Sequence, residues 1–159
     1  MTISKRMSHY LVIGVMLITT MTATAQSPNS RPAMEGAWNV SIAFSQPGLP
    51  PCAPASTIAI ATNPQGGTLI ADSCFAFEGA GYGVWARKAN NLFAVTFVGN
   101  SFAADGTVES SYKVNATLSV GPSGDTLSGT FQTTIFDLQG HVLETFTGTL
   151  TGVRIVVEP

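Results

Sequence analysis

A chain of 159 residues with a net charge of −2 and only 10% charged side chains has room for one domain with a sizeable core, and it offers no basic surface for nucleic acid. Two cysteines and two histidines leave too few ligands for a zinc site built on histidine and cysteine, and no stretch carries a diagnostic catalytic or metal motif.

Lys5 and Arg6 precede an apolar run from Tyr10 to Ile18, and Thr22-Ala23-Thr24-Ala25 follows before Gln26. This is the three-part layout of a secretory signal occupying 1–25, with cleavage expected after Ala25. The nine-residue run is too short for a membrane span, which needs roughly 20 residues, and no later stretch approaches that length. Secretion or delivery to the periplasm is the expectation. Loss of Lys5 and Arg6 would leave five scattered basic residues against nine acidic ones, a net −4. Both cysteines, Cys52 and Cys74, lie in the exported part, so a disulfide between them is expected. Closing that loop would contribute about 3 kcal/mol.

Residues 26–35, with Pro28, Asn29, Ser30 and Pro32, read as a polar lead-in to a domain over 36–159. From Gly36 the period becomes two: Trp38, Val40, Ile42 and Phe44 alternate with smaller or polar residues, the mark of a half-buried strand. Four prolines and a glycine between Gln46 and Pro54 predict a loop tied down by Cys52. Strands are then expected at Ser56 to Thr62, Gly67 to Cys74, Gly81 to Lys88 and Leu92 to Ala103, parted by turn-forming residues. Asp105-Gly106 reads as a tight hairpin into Thr107 to Val120, whose inner set would be Val108, Ser110, Tyr112, Val114, Ala116, Leu118 and Val120. Asp125 to Asp137 and Val142 to Ile155 complete the series. On the last strand Phe146, Leu150 and Arg154 share one face and four alternating threonines the other.

Eight strands and no amphipathic helix after the leader predict an all-β fold, a single eight-stranded antiparallel up-and-down β-barrel, since closure removes exposed sheet edges. In such a barrel the first and last strands are neighbours, so Trp38 and Arg154 can meet. Gly36-Ala37-Trp38 taken with Arg154 resembles the lipocalins and the wider calycin group, whose barrels pair a first-strand tryptophan with a last-strand arginine. The chain also resembles small exported bacterial proteins through Gly36-x-Trp38, Gly66-Gly67-Thr68, Gly83-Val84-Trp85, Asp105-Gly106-Thr107, Gly124-Asp125 and Gly148-x-x-x-Gly152. The Thr-Asp-Tyr motif of typical lipocalins is absent. A more distant resemblance, one of architecture, is to allene-oxide-cyclase-like barrels. The first likeness implies an interior ligand and a structural role for Trp38 and Arg154, with the guanidinium lying on the indole and donating to nearby carbonyls.

Trp85, Tyr112, Phe131, Glu144 and Phe146 fall on the parity assigned to the interior and are the candidate ligand-binding residues. Glu144 is also the one weak catalytic candidate, a carboxylate that could accept a proton if enclosed. His141, in a predicted turn, reads as exposed and cannot by itself build a zinc site or a triad. The sequence thus favours an exported barrel that binds a small apolar or amphipathic molecule without a cofactor. Its rivals are a cofactor-free isomerase or cyclase using Glu144 or a tyrosine for proton transfer, and a surface interaction module with a filled core.

Overall fold

The computed structural model describes residues 32–73, 75 and 77–158. The signal-like segment and Cys74 lie outside the described residues. Eight strands run in order: β1 (Gly36–Phe44), β2 (Cys52–Asn63), β3 (Gly66–Ala71), β4 (Gly81–Arg87), β5 (Leu92–Phe102), β6 (Val108–Val120), β7 (Thr126–Phe136) and β8 (Val142–Arg154). Each pairs antiparallel with its neighbour in sequence, and β1 pairs with β8 to close the barrel. The form is consistent with a calycin-like fold. No helix among the described residues is long and apolar enough to cross a membrane.

Two-residue periodicity becomes inside and outside. On β6 every alternate residue from Ser110 to Val120 is buried, while Lys113, Asn115 and Thr117 between them are exposed. Only Val108, at the strand's first position, departs from the predicted inner set, being exposed at the rim. On β8 Gly148 and Gly152 are buried and Phe146, Leu150 and Arg154 partly so, whereas the four threonines face solvent.

Two boundaries differ from the sequence reading in ways that matter. β2 begins at Cys52 rather than Ser56: the ladder to β1 shifts register between Val40 and Ile42, and Pro54, which has no N–H to donate, falls in that interruption. β3 stops at Ala71 instead of running to Cys74, which releases the following residues from the ladder.

One end of the barrel is packed shut. Trp38 is fully buried and its indole Nε1 donates to Met34 O at 2.9 Å. The Arg154 guanidinium lies 4.2 Å over that indole. It donates from Nε to Gly124 O (2.8 Å), from Nη2 to Ala33 O (2.9 Å) and from Nη1 to Glu35 O. Arg87 repeats the device, 4.6 Å over the Phe93 ring and donating to Pro32 O at 3.0 Å. The lead-in is therefore less polar in role than in composition, since Met34 is as fully buried as Trp38 and plugs this end.

Candidate functional site

Above the plug, the barrel interior holds a cavity of about 120 Å³. Its wall is part aliphatic, with Val40, Leu69, Val95, Val114 and Leu118 among its members, and part aromatic, with Phe44, Phe97, Tyr112, Phe131 and Phe146. Phe44 meets Phe131 and Phe146 edge-on, with ring centroids 5.7 and 6.4 Å apart, so one ring of β1 ties β7 and β8 together across the interior. The volume is modest because glycines on the inner faces are filled by opposing side chains. Phe131 lies against Gly148 and Tyr112 against Gly99 so closely that a Cβ at either glycine would strike the ring. The small inner residues of β7 and β8 thus receive side chains instead of adding open space.

The polar end of the cavity is made by the residues that β3 releases. Asp72, Ser73, Phe75 and Glu78, from the segment joining β3 to β4, all line it. Phe75 packs against Phe44 with ring centroids 5.8 Å apart and planes tilted by 40°, and Glu78 forms an isolated bridge with Ser101 of β5. Gly79 N donates to Asn100 O at 2.9 Å, Phe102 N donates to Phe77 O at 2.7 Å, and the Tyr112 hydroxyl donates to Gly79 O at 2.7 Å. The Ser73 hydroxyl donates to Glu78 Oε2, and its oxygen accepts from Phe75 N at 3.2 Å. Together these bonds fold the segment into a lid.

Burial pushes the Glu78 carboxyl above the ordinary carboxylate range, and the Ser73 hydrogen bond pulls only partly against it. The Tyr112 phenol is pushed up to about 12 by burial first and then by the negative charges of Glu78 and Asp72. The tyrosine therefore remains a neutral phenol whose proton is committed to Gly79. Across the rim, Asp137 accepts from the backbone N–H of Gln139 (2.9 Å) and of His141 (2.7 Å) and meets His141 Nδ1 at 2.8 Å, which lowers its pKa. His141 is a solvent-facing turn residue organised by that carboxylate.

Of the five residues that sequence parity assigned to the ligand, Tyr112, Phe131 and Phe146 line the cavity. Trp85 is buried but packs on Phe93, 5.7 Å between centroids, toward the plugged end, and its Nε1 has no hydrogen-bond partner. Glu144 stands opposite Ile135, a cavity residue, so its parity is inward, but it sits near the start of β8 at the rim and is exposed. The groups that sequence reasoning missed are Asp72, Ser73 and Glu78. Their signal was faint: two acids and a serine in a stretch read partly as strand and partly as turn. Among the described residues no group of three His, Cys, Asp or Glu is placed to hold a metal ion. The fold and cavity define a closed antiparallel β-barrel with one plugged end and one lidded end. No family model matches the chain, and no curated protein matches it significantly.

Proposed function

We propose that this protein is an exported, lipocalin-like carrier or receptor that holds a small apolar or amphipathic molecule inside its barrel. The observation that carries the reading is the cavity itself: a largely apolar wall with a few polar groups, its two carboxylates together at one end, is the usual character of a small-molecule site. At about 120 Å³ it is smaller than typical drug-sized pockets and close to the size of an apolar cavity that takes up benzene. The ligand, or the part of it held inside, is correspondingly small. A fluorescent apolar probe titrated into the protein is expected to lose affinity, or change its stoichiometry, when Phe131 or Tyr112 is shortened, and to be indifferent to outward Lys113→Ala or Gln132→Ala. Equal responses of inward and outward variants would remove the reading. Native mass spectrometry of protein taken from its own host would then look for a co-purifying molecule.

Export and the Cys52–Cys74 bridge belong to the same proposal. The secreted protein is expected to have the mass of residues 26–159 less two hydrogens, and a titrating thiol in the folded state would overturn the bridge. A cofactor-free isomerase or cyclase would have to work through a cavity tyrosine, because the Glu144 carboxylate is exposed. A second reading, the surface interaction module, is favoured by one specific observation. Ile58, Ile70, Tyr82 and Val98 form a continuous register across the outer wall of β2 to β5, each 40–63% exposed. Concentration-dependent sedimentation that Ile70→Lys abolishes would support that alternative.

A further inference from the structure

We infer that the cavity selects an amphipathic ligand whose head is a cation or strong hydrogen-bond donor, in its simplest form a small primary alkylamine, and that Glu78 sets this preference. The inference rests on the ligand-binding reading above and goes further by naming the head group.

The first ground is the sign of the charge. Among the residues lining the cavity, Asp72 and Glu78 are the only charged ones. The described cations are engaged or directed elsewhere: Arg154 and Arg87 are tied to carbonyls at the plugged end, Lys88 lies beyond the end of β4 there, and exposed Lys113 is on the outer parity of β6. The His141 ring is turned to Asp137, its Nδ1 2.8 Å from Oδ2. Among the described residues Glu78 is thus a partly buried carboxylate with no cation beside it, and a group in that position gains most from a ligand that brings one.

The second ground is the inventory of donors. The Ser73 hydroxyl proton goes to Glu78 and the Tyr112 proton to Gly79 O, while ionised carboxylates can only accept. Apart from the wall hydroxyls of Thr57 and Thr133, what the cavity has left to offer a head group is acceptor capacity: the second oxygen of Glu78, the second oxygen of Asp72, whose Oδ1 takes the Ser73 N–H at 3.0 Å, and the lone pairs of Tyr112. An ammonium head, with three donors and a positive charge, matches that inventory. A carboxylate head of the same shape would meet two like charges and few free donors. The size of the cavity limits the enclosed tail to about four to six heavy atoms on the scale of a benzene-sized void.

The test compares n-pentylamine, n-pentanol and n-pentanoate by NMR titration of the purified protein at neutral pH. The amine is expected to bind at least about tenfold more tightly than the carboxylate, with the alcohol between them. Glu78→Gln should bring the amine down to the level of the alcohol while leaving the alcohol within about twofold of its wild-type affinity. Should that variant fail to fold, Asp72→Asn, expected to weaken the amine alone, and the wild-type series still decide. Binding of pentanoate as tight as that of pentylamine, or parallel losses for amine and alcohol in the variant, would overturn the head-group inference and leave the cavity reading standing. Failure of all three, the neutral alcohol included, would remove both.

Discussion

Arg154 does several jobs with one side chain. Its face covers Trp38 and its edges serve the carbonyls of Ala33, Glu35 and Gly124, so the lead-in, β1, the β6–β7 turn and β8 share a single guanidinium. Arg154→Ala should cost about 2 to 3 kcal/mol in chemical denaturation, through lost stacking and carbonyls left short of donors. Lysine should not restore it, because a point charge cannot reproduce the planar fork. Gly36 has φ 123°, and a Cβ there would strike the same guanidinium, which gives a physical reason for glycine two residues before the tryptophan. Gly36→Ala is accordingly expected to destabilise in the same assay, and its effect should be less than additive with Arg154→Ala.

Tyr112 offers a different single-residue test. Its folded-state pKa, about 12, lies above the ordinary value of 10.0, so the native state holds the phenolic proton more tightly than the unfolded chain does. The associated stability is fully present below pH 10 and is lost as pH rises through about 12. Tyr112→Phe should flatten this alkaline arm and cost about 1 kcal/mol at neutral pH for the lost bond to Gly79 O. Glu78 has the same sign at lower pH. Its raised pKa means that its contribution is complete below the ordinary value of 4.5 and declines as pH rises through the folded value, so Glu78→Gln should remove a loss of stability that sets in as pH rises above 4.5.

At the scale of elements, the joining segment 72–80 contrasts with the strands it connects. Among its described residues it is tied by single bonds to Ser56, Asn100, Phe102 and Tyr112 and by a ring contact to Phe44, where β5 and β6 share an unbroken ladder from Leu92 to Ser101. Local opening draws on the least-bonded elements. Hydrogen exchange should therefore find the amide of Gly79 less protected than those of Val95 and Val114, and Tyr112→Phe should widen the gap. Uniform protection across lid and barrel would argue against a lid that opens independently.

At the scale of the whole molecule, closure of β1 on β8 joins the two ends of the domain through seven paired residues, from Trp38–Arg154 to Phe44–Gly148. Truncation before Gly148 would strip β1 of its partner, expose the edges of both β1 and β7, and open the plugged end. The expected outcome is loss of cooperative unfolding and aggregation, read by circular dichroism and light scattering, in place of a smaller stable domain.

Most of this architecture is carried by local sequence. Alternation along β6 and β8 assigns inside and outside because a pleat has period two, the turn residues mark where each strand reverses, and Trp38 and Arg154 are brought together once the chain closes on itself. What local sequence did not determine lies where remote groups decide. The lid beyond the end of β3 depends on the hydroxyl of Tyr112, 33 residues after the Gly79 that it holds, and on backbone partners in β5. Glu144 has the parity of a cavity residue but lies at the rim, since alternation gives the face of a strand and says nothing of depth along the barrel axis. The space inside was likewise a tertiary matter: Gly148 is a small residue in the sequence, and only packing across strands fills it with the ring of Phe131.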